Sequence, residues 1–96
     1  MRSLTPPAAD WLPLERALQA EFGEQGAAYR DAFQFIGHVR GPDDIGELRL
    51  YRHASTRRYL VLDGAARSYR YHAPSATYGQ TELAAALEAA LGVQLR

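Results

Sequence analysis

Apolar residues recur with helical spacing near the start of the chain and again near its end. In the first region the recurring set is Trp11, Leu14, Leu18 and Phe22. Positions three and four apart share one face of a helix. Asp10 is a suitable N-cap, Pro13 fits the first turn, and Gly23 is typical of a helix end. The pattern predicts a helix over residues 11–22, preceded by an extended leader at residues 1–9 that contains two consecutive prolines.

The second helical pattern lies close to the end of the chain. Its apolar stripe consists of Leu83, Leu87, Ala90 and Leu91. Thr81 is a suitable N-cap, and Gly92 suits the left-handed position that commonly follows a helix. We predict a helix over residues 81–91, followed by a short tail at residues 93–96.

Between these helices the pattern changes to an alternation of apolar and polar residues, which is typical of strands with one buried face. Turn-forming residues divide this part into four predicted strands, at residues 32–40, 47–53, 58–62 and 67–72. The connections are short, so neighbouring strands are expected to pair antiparallel in a meander. We interpret residues 23–28 as a linker and residues 73–80, with the sequence APSATYGQ, as a loop.

The predicted fold is therefore an α+β two-layer sandwich of one domain, residues 1–96. It consists of a four-stranded antiparallel meander with the N- and C-terminal helices on one face, in the order α-β-β-β-β-α. Outside strands 3 and 4, the predicted core is Trp11, Leu14, Leu18, Phe22, Phe33, Phe35, Leu48, Leu50, Leu83, Leu87 and Leu91. Two short helices can cover only one face of such a sheet, so the other face is expected to be open.

The third predicted strand is apolar on both faces, and its pairing with the fourth depends on the turn between them. A three-residue turn, residues 64–66, pairs Asp63 with Arg67 and places Tyr59 and Val61 beside Tyr71 and Tyr69. A four-residue turn instead moves every side chain of the fourth strand to the other face. We favour the three-residue turn because it forms a Tyr–Tyr and an Asp–Arg cross-strand pair.

Composition excludes several classes of protein and site. The chain has no Cys, so disulfides, thiolate catalysis and four-Cys zinc sites are excluded. No apolar run is long enough to span a membrane, and no segment has the pattern of a signal peptide. A cytoplasmic location is the expectation. The absence of Lys and Asn beside abundant Ala, Leu and Arg suggests a GC-rich bacterial genome.

Neither a metal, a cofactor nor an enzymatic activity is predicted. The acidic turn at Asp43, Asp44 and Glu47 lacks the ligand spacing of an EF-hand loop, and a solvated turn is the simpler interpretation. The three His residues, His38, His53 and His72, lie in three different predicted strands. The chain has no nucleophile elbow, dinucleotide-binding motif or P-loop. Enzymatic activity stays open, with the balance against it.

The most informative feature is a concentration of Arg and Tyr in the predicted strands. Residues 32–72 contain seven Arg against four acidic residues, a net charge of about +3 in a chain with no net charge. The candidate binding residues are Arg49, Tyr51, Arg57, Arg58, Tyr59, Tyr69, Arg70, Tyr71 and His72. This pattern fits a solvated sheet face, a protein-binding face or a face that tracks a phosphate backbone and stacks bases.

From these observations we expect a small soluble bacterial binding or adaptor module. Its open sheet face would bind a protein partner or a second copy, as a homodimer. The alternative is weak, electrostatic binding of single-stranded nucleic acid through Arg and Tyr, with about three phosphate contacts. No membrane association is expected.

Overall fold

The computed structural model describes residues 10–41 and 45–92. The helices are α1 (Leu12–Phe22), α2 (Gly26–Arg30) and α3 (Leu83–Leu91), with 3-10 turns at Gly23–Gln25 and Ala73–Ser75. The strands are β1 (Phe33–Arg40), β2 (Glu47–His53), β3 (Tyr59–Leu62), β4 (Ser68–His72) and β5 (Thr77–Thr81). They form one antiparallel sheet in the order β1-β2-β3-β4-β5. The predicted leader, the tail and the acidic residues Asp43 and Asp44 lie outside the described residues.

The predicted α+β two-layer architecture is confirmed, with α1 and α3 on the same face of the sheet. We call this the helix face. Its buried cluster consists of Leu14, Ala17, Leu18, Phe33, Tyr51, Leu60, Leu62, Leu87, Ala90 and Leu91. Trp11, Phe22, Phe35 and Leu83 from the predicted core pack around this cluster and are partly buried. Within the described ranges, no helix is long and apolar enough to cross a membrane.

The opposite face of the sheet, the open face, has a smaller cluster of its own. Leu48, Val61 and Tyr69 are buried there, and Val39, Ile45, Leu50 and Tyr78 pack around them. These side chains come from all five strands or from the loop before β2. The described helices all lie on the helix face, so on the open face the sheet covers part of its own apolar surface.

The loop predicted at residues 73–80 is wrong, because this segment contains a fifth strand. A 3-10 turn, Ala73–Ser75, and a left-handed Ala76 reverse the chain, and β5 then pairs with all five residues of β4. Thr81 is the last residue of β5, and Glu82 occupies the N-cap position of α3. The predicted linker at residues 23–28 is also helical, because a 3-10 turn leads directly into α2.

The start of α1 differs from the prediction in its cap. Trp11, which makes no side-chain capping bond, occupies the N-cap position, and Pro13 lies in the first turn as predicted. The Asp10 carboxylate instead accepts a hydrogen bond from Nε of Arg49 at 2.9 Å. An ion pair with the sheet thus replaces the predicted cap.

Two strands place their side chains differently from the prediction. A β-bulge in β1, between Phe35 and Gly37, shifts the register. The bulge adds a residue to one strand, so Phe35 faces the helices while Val39 lies on the open face. In β2 the two faces are exchanged: Tyr51 is fully buried against the helices, and Leu48 and Leu50 belong to the open-face cluster.

The predicted three-residue turn between β3 and β4 is confirmed. Val61 pairs with Tyr69, Leu62 pairs with Ser68, and the Asp63 amide donates to the Arg67 carbonyl at 3.0 Å. The ladder contains only these two pairs, so the predicted pair of Tyr59 with Tyr71 is wrong. Tyr71 pairs instead with Tyr78 of β5.

Leu62→Ala is expected to lower the free energy of unfolding by about 2–5 kcal/mol, because Leu62 is fully buried between the sheet and the helices. Leu12→Ala is the matched control, since Leu12 is 53% exposed and loses little contact. Urea denaturation followed by circular dichroism measures both. Equal losses in the two variants would contradict the assignment of the core.

Candidate functional site

The nine predicted site residues do not share one surface. Alternation and register place Arg49, Tyr51, Arg70 and His72 on the helix face of their strands. Tyr59, Tyr69 and Tyr71 lie on the open face, and Arg57 and Arg58 belong to the connection between β2 and β3. The structure therefore separates most of the arginines from the tyrosines.

Arg49 and Tyr51 hold the chain that leads into α1. Arg49 pairs with the Asp10 carboxylate and also donates to the Glu47 carbonyl at 2.9 Å. The Tyr51 hydroxyl donates to the Asp10 carbonyl oxygen. Burial, and then the Asp10 carboxylate, raises the pKa of Tyr51 well above its usual range. Both residues are thus occupied by internal contacts.

Two side chains in the connection between β2 and β3 donate hydrogen bonds to the end of α3. The Thr56 hydroxyl donates to the Ala90 carbonyl at 2.6 Å, and Nη1 of Arg58 donates to the Ala89 carbonyl at 3.0 Å. The last carbonyls of a helix have no partner within the helix and favour a nearby positive charge. Thr56 and Arg58 therefore cap α3 from a distant part of the chain, and this cap holds the Arg58 side chain at the end of the helix.

Arg57 lies beside this cap but has a different role in the turn. Its φ is 62°, a left-handed conformation in which its amide donates to the His53 carbonyl at 2.8 Å. Its side chain is exposed.

A buried carboxylate organises the turn between β3 and β4. Asp63 is 2% exposed and accepts hydrogen bonds from the amides of Ala65 and Arg67, from Nε of Arg67 and from the Tyr69 hydroxyl, all at 2.8–2.9 Å. Burial alone raises the pKa of a carboxyl, but these four donors outweigh that effect and lower the pKa of Asp63. The network fixes Arg67 and Tyr69 to the turn.

The open face carries the most exposed aromatic surface of the described sheet. Tyr59 is 53% exposed and Tyr71 is 50% exposed, and the Tyr71 and Tyr78 rings lie 5.1 Å apart. Arg52 is paired with Tyr59 across β2 and β3, and its Nε is buried without a hydrogen-bond partner among the described residues. We call Arg52, Tyr59, Tyr71 and Tyr78 the tyrosine patch.

Sequence reasoning missed two members of this patch. Tyr78 lies in the segment predicted as a loop, where Gly79 and Gln80 interrupt the apolar–polar alternation that is typical of a strand. Arg52 lies in the second predicted strand but was not selected as a site residue. Its alternation with Leu50 and Leu48 would have placed it on their face.

The three histidines lie in separate environments. His38 is 4.0 Å from Glu47, and His53 is buried, where its Nδ1 accepts from the Thr56 amide at 3.1 Å. His72 shares a 2.7 Å hydrogen bond with the exposed Ser75 hydroxyl. Residues 10–41 and 45–92 contain no cluster of three or more His, Asp or Glu side chains suited to a metal ion.

A groove of about 400 Å³ runs between α3 and the divergent ends of β3 and β4. Its walls include Leu60, Ala86, Ala89 and Thr81, with Arg58 and Arg70 also contributing. It opens because β3 and β4 pair over only two residues each before they separate. The lining that residues 10–41 and 45–92 contribute is mainly apolar and contains neither a His nor a carboxylate.

In the comparisons with known proteins, no family model matches the chain, and no curated protein or solved structure matches it either.

Thr56→Val is expected to destabilise the fold by about 1–2 kcal/mol, because it removes the hydroxyl that caps α3 and leaves the Ala90 carbonyl without its donor. Ser55→Ala is the matched control, since Ser55 is the exposed neighbour in the same turn. Urea denaturation compares the two. A Thr56→Val variant as stable as the unmodified chain would show that the cap contributes nothing to the free energy of unfolding.

Asp63→Asn is expected to lower the free energy of unfolding at pH 7 by about 1–3 kcal/mol, because charged hydrogen bonds are replaced by weaker ones. The folded pKa of Asp63 lies below its unfolded value. The stabilisation is thus fully present above about pH 4, the unfolded carboxyl pKa, and is lost as the pH falls through the folded pKa. Urea titrations from pH 7 to pH 2 should therefore show a shallower acid loss for the variant than for the unmodified chain. Identical acid slopes would contradict this account, and Glu24→Gln, at an exposed site, is the control.

Proposed function

We propose that the chain is a small protein-binding module that associates with a second copy of itself through the open face. The observation that carries this proposal is the tyrosine patch, in which two half-exposed Tyr side chains stand beside an apolar cluster. Among the described residues, the helices pack on the other face. Aromatic side chains with an exposed apolar body and a polar tip are enriched in protein interfaces.

Charge also favours association between identical chains. The net charge is zero at pH 7, so two copies do not repel each other over long distances. A twofold axis across the open face would bring the same patch from both copies together. In that arrangement Arg52 of one copy can lie over a Tyr ring of the other, a favourable cation–π contact.

The size of the face sets the expected affinity. Five strands about 4.8 Å apart and about 20 Å long give a footprint of roughly 400–500 Å². A standard stable interface buries about 800 Å² on each partner. We therefore propose a weak dimer with a dissociation constant on the order of 100 μM, about −5.5 kcal/mol.

The alternative, weak binding of single-stranded nucleic acid, has less support. That proposal requires Arg and Tyr side chains on one surface, and only Arg52 accompanies the tyrosines on the open face of the described sheet. Arg49, Arg58 and Arg67 are engaged with Asp10, the end of α3 and Asp63.

A bacterial cytoplasm is the setting we propose for the module, from its composition alone.

Tyr59→Asp is expected to abolish dimerisation, because it places a charge and removes an aromatic ring at the centre of the proposed contact. Leu12→Asp is the matched control, since Leu12 has the same exposed fraction, 53%, but lies on α1. Sedimentation velocity between about 10 and 500 μM should show a rising average mass for the unmodified chain and the Leu12→Asp variant only. A monomer throughout this range, or equal effects of both variants, rules out the open face as a dimer contact.

A further inference from the structure

The two edge strands of the sheet differ in how readily another strand can add to them. The edge strand β1 contains a bulge and carries His38 and Arg40, and bulges and charges both discourage pairing with a further strand. The edge strand β5, with the sequence TYGQT, contains no charged residue and no Pro, and its register with β4 is regular over five pairs. Among the described residues, no strand pairs with the outer side of β5. An edge of this kind presents free backbone groups to an extended chain.

Arg70 lies next to this edge with an unused charge. It is exposed, and no carboxylate among the described residues forms an ion pair with it. Its neighbour in β5 is Gly79, where a β-carbon would meet no atom within 4 Å. No side chain at position 79 therefore stands between Arg70 and an added strand on the helix face. The flexible Arg70 side chain, which also lines the groove beside α3, can extend across β5 toward that strand.

We propose that the β5 edge binds an extended peptide that carries an acidic residue opposite Gly79. An added strand lies two strand spacings, about 9.6 Å, from β4, a distance that Arg and Glu side chains can span together. The backbone supplies affinity through main-chain hydrogen bonds, as in other cases of strand addition, and Arg70 supplies selectivity.

The side of the added strand that lies on the open face defines the peptide residues next to the acidic one. Tyr78 and Gln80 flank Gly79 and point to the open face, as Tyr71 and Tyr69 do beside them. A β-branched or aromatic residue on each side of the acidic residue would therefore pack beside Tyr78 and Gln80. The expected ligand is an antiparallel strand with the pattern apolar, acidic, apolar.

A second copy of β5 fits this edge less well. If Gly79 lies opposite Gly79 of the other copy, the two Arg70 side chains approach the same gap from both sides. Neither β5 provides an acidic residue to separate these charges. Like charges disfavour that pairing, so we assign the edge to a peptide from a different chain. The proposal is independent of the face-to-face dimer, which leaves both β5 edges exposed.

The test uses the synthetic peptide Ac-Thr-Thr-Val-Glu-Val-Thr-Thr-NH2 and its counterpart with Lys in place of Glu. Chemical-shift changes in the amide spectrum of the full chain, at about 50 mM salt, give the affinity and the location. The Glu peptide should perturb the amides of residues 77–81 and bind about three- to fivefold more tightly than the Lys peptide, as expected for an exposed ion pair. Arg70→Glu should reverse this preference, and Arg16→Glu, at an exposed position on α1, should leave it unchanged.

Two further peptides test for strand pairing itself. Methylation of alternate peptide nitrogens should abolish binding for one alternating set and spare the other, because only every second amide of an added strand faces β5. Tyr59→Asp should leave peptide affinity unchanged, which separates this result from the test of the dimer.

Three results of the peptide titration would overturn the proposal. The first is the absence of chemical-shift changes up to about 2 mM peptide, and the second is changes at β1 or on the open face instead of at β5. The third is equal affinity for the Glu and Lys peptides, both in the unmodified chain and in the Arg70→Glu variant. Dimerisation of the free chain that is lost on changes in β5 would assign the edge to a second copy and would also overturn it.

Discussion

The position of every side chain in β4 and β5 depends on the turn that the Asp63 carboxylate holds. Four donors converge on this carboxylate within six residues of chain. If the turn were one residue longer, the side chains of β4 would change faces, and Ser68 would leave the helix face. A hydrophobic pattern cannot prevent that change here, because β3 is apolar on both sides. A polar network therefore decides the register of an apolar strand.

That register determines how the molecule distributes aromatic groups and charge. It sends Tyr69, Tyr71 and, through β5, Tyr78 to the open face, and it leaves Arg70 exposed on the helix face, at the edge of the groove beside α3. The aromatic surface and the free positive charge therefore lie on opposite sides of one hairpin. This separation favours two distinct contacts, one on the face and one at the edge, over a single mixed surface of Arg and Tyr.

The sequence was sufficient for the architecture and for the register of β3 with β4, since each depends on local spacing and short turns. It was insufficient where two faces have similar polarity. In β2, alternation places Tyr51 on the opposite face from Leu48 and Leu50 but does not show which face meets the helices. The hydrogen bond from Tyr51 to Asp10 belongs to the helix face, but it joins residues far apart along the chain and so leaves no local signal in the sequence. The bulge before Gly37 and the strand around Gly79 were also missed. Glycine has no side chain, so it adds nothing to the alternation of apolar and polar residues from which strands are predicted. For the candidate site, Tyr59, Tyr69 and Tyr71 of the open face were among the predicted residues, but Tyr78 was not. The roles of Arg49 and Arg58 depend on partners 39 and 31 residues away along the chain.

The cap that Thr56 and Arg58 place on α3 also fixes the rotation of this helix about its own axis. Because α3 is rich in Ala and Leu around much of its circumference, its own sequence defines that rotation poorly. The Thr56 hydroxyl and Nη1 of Arg58 bind two specific carbonyls at the end of the helix, those of Ala90 and Ala89. Two hydrogen bonds from a turn more than 30 residues away along the chain therefore supply the rotational information that the helix sequence lacks.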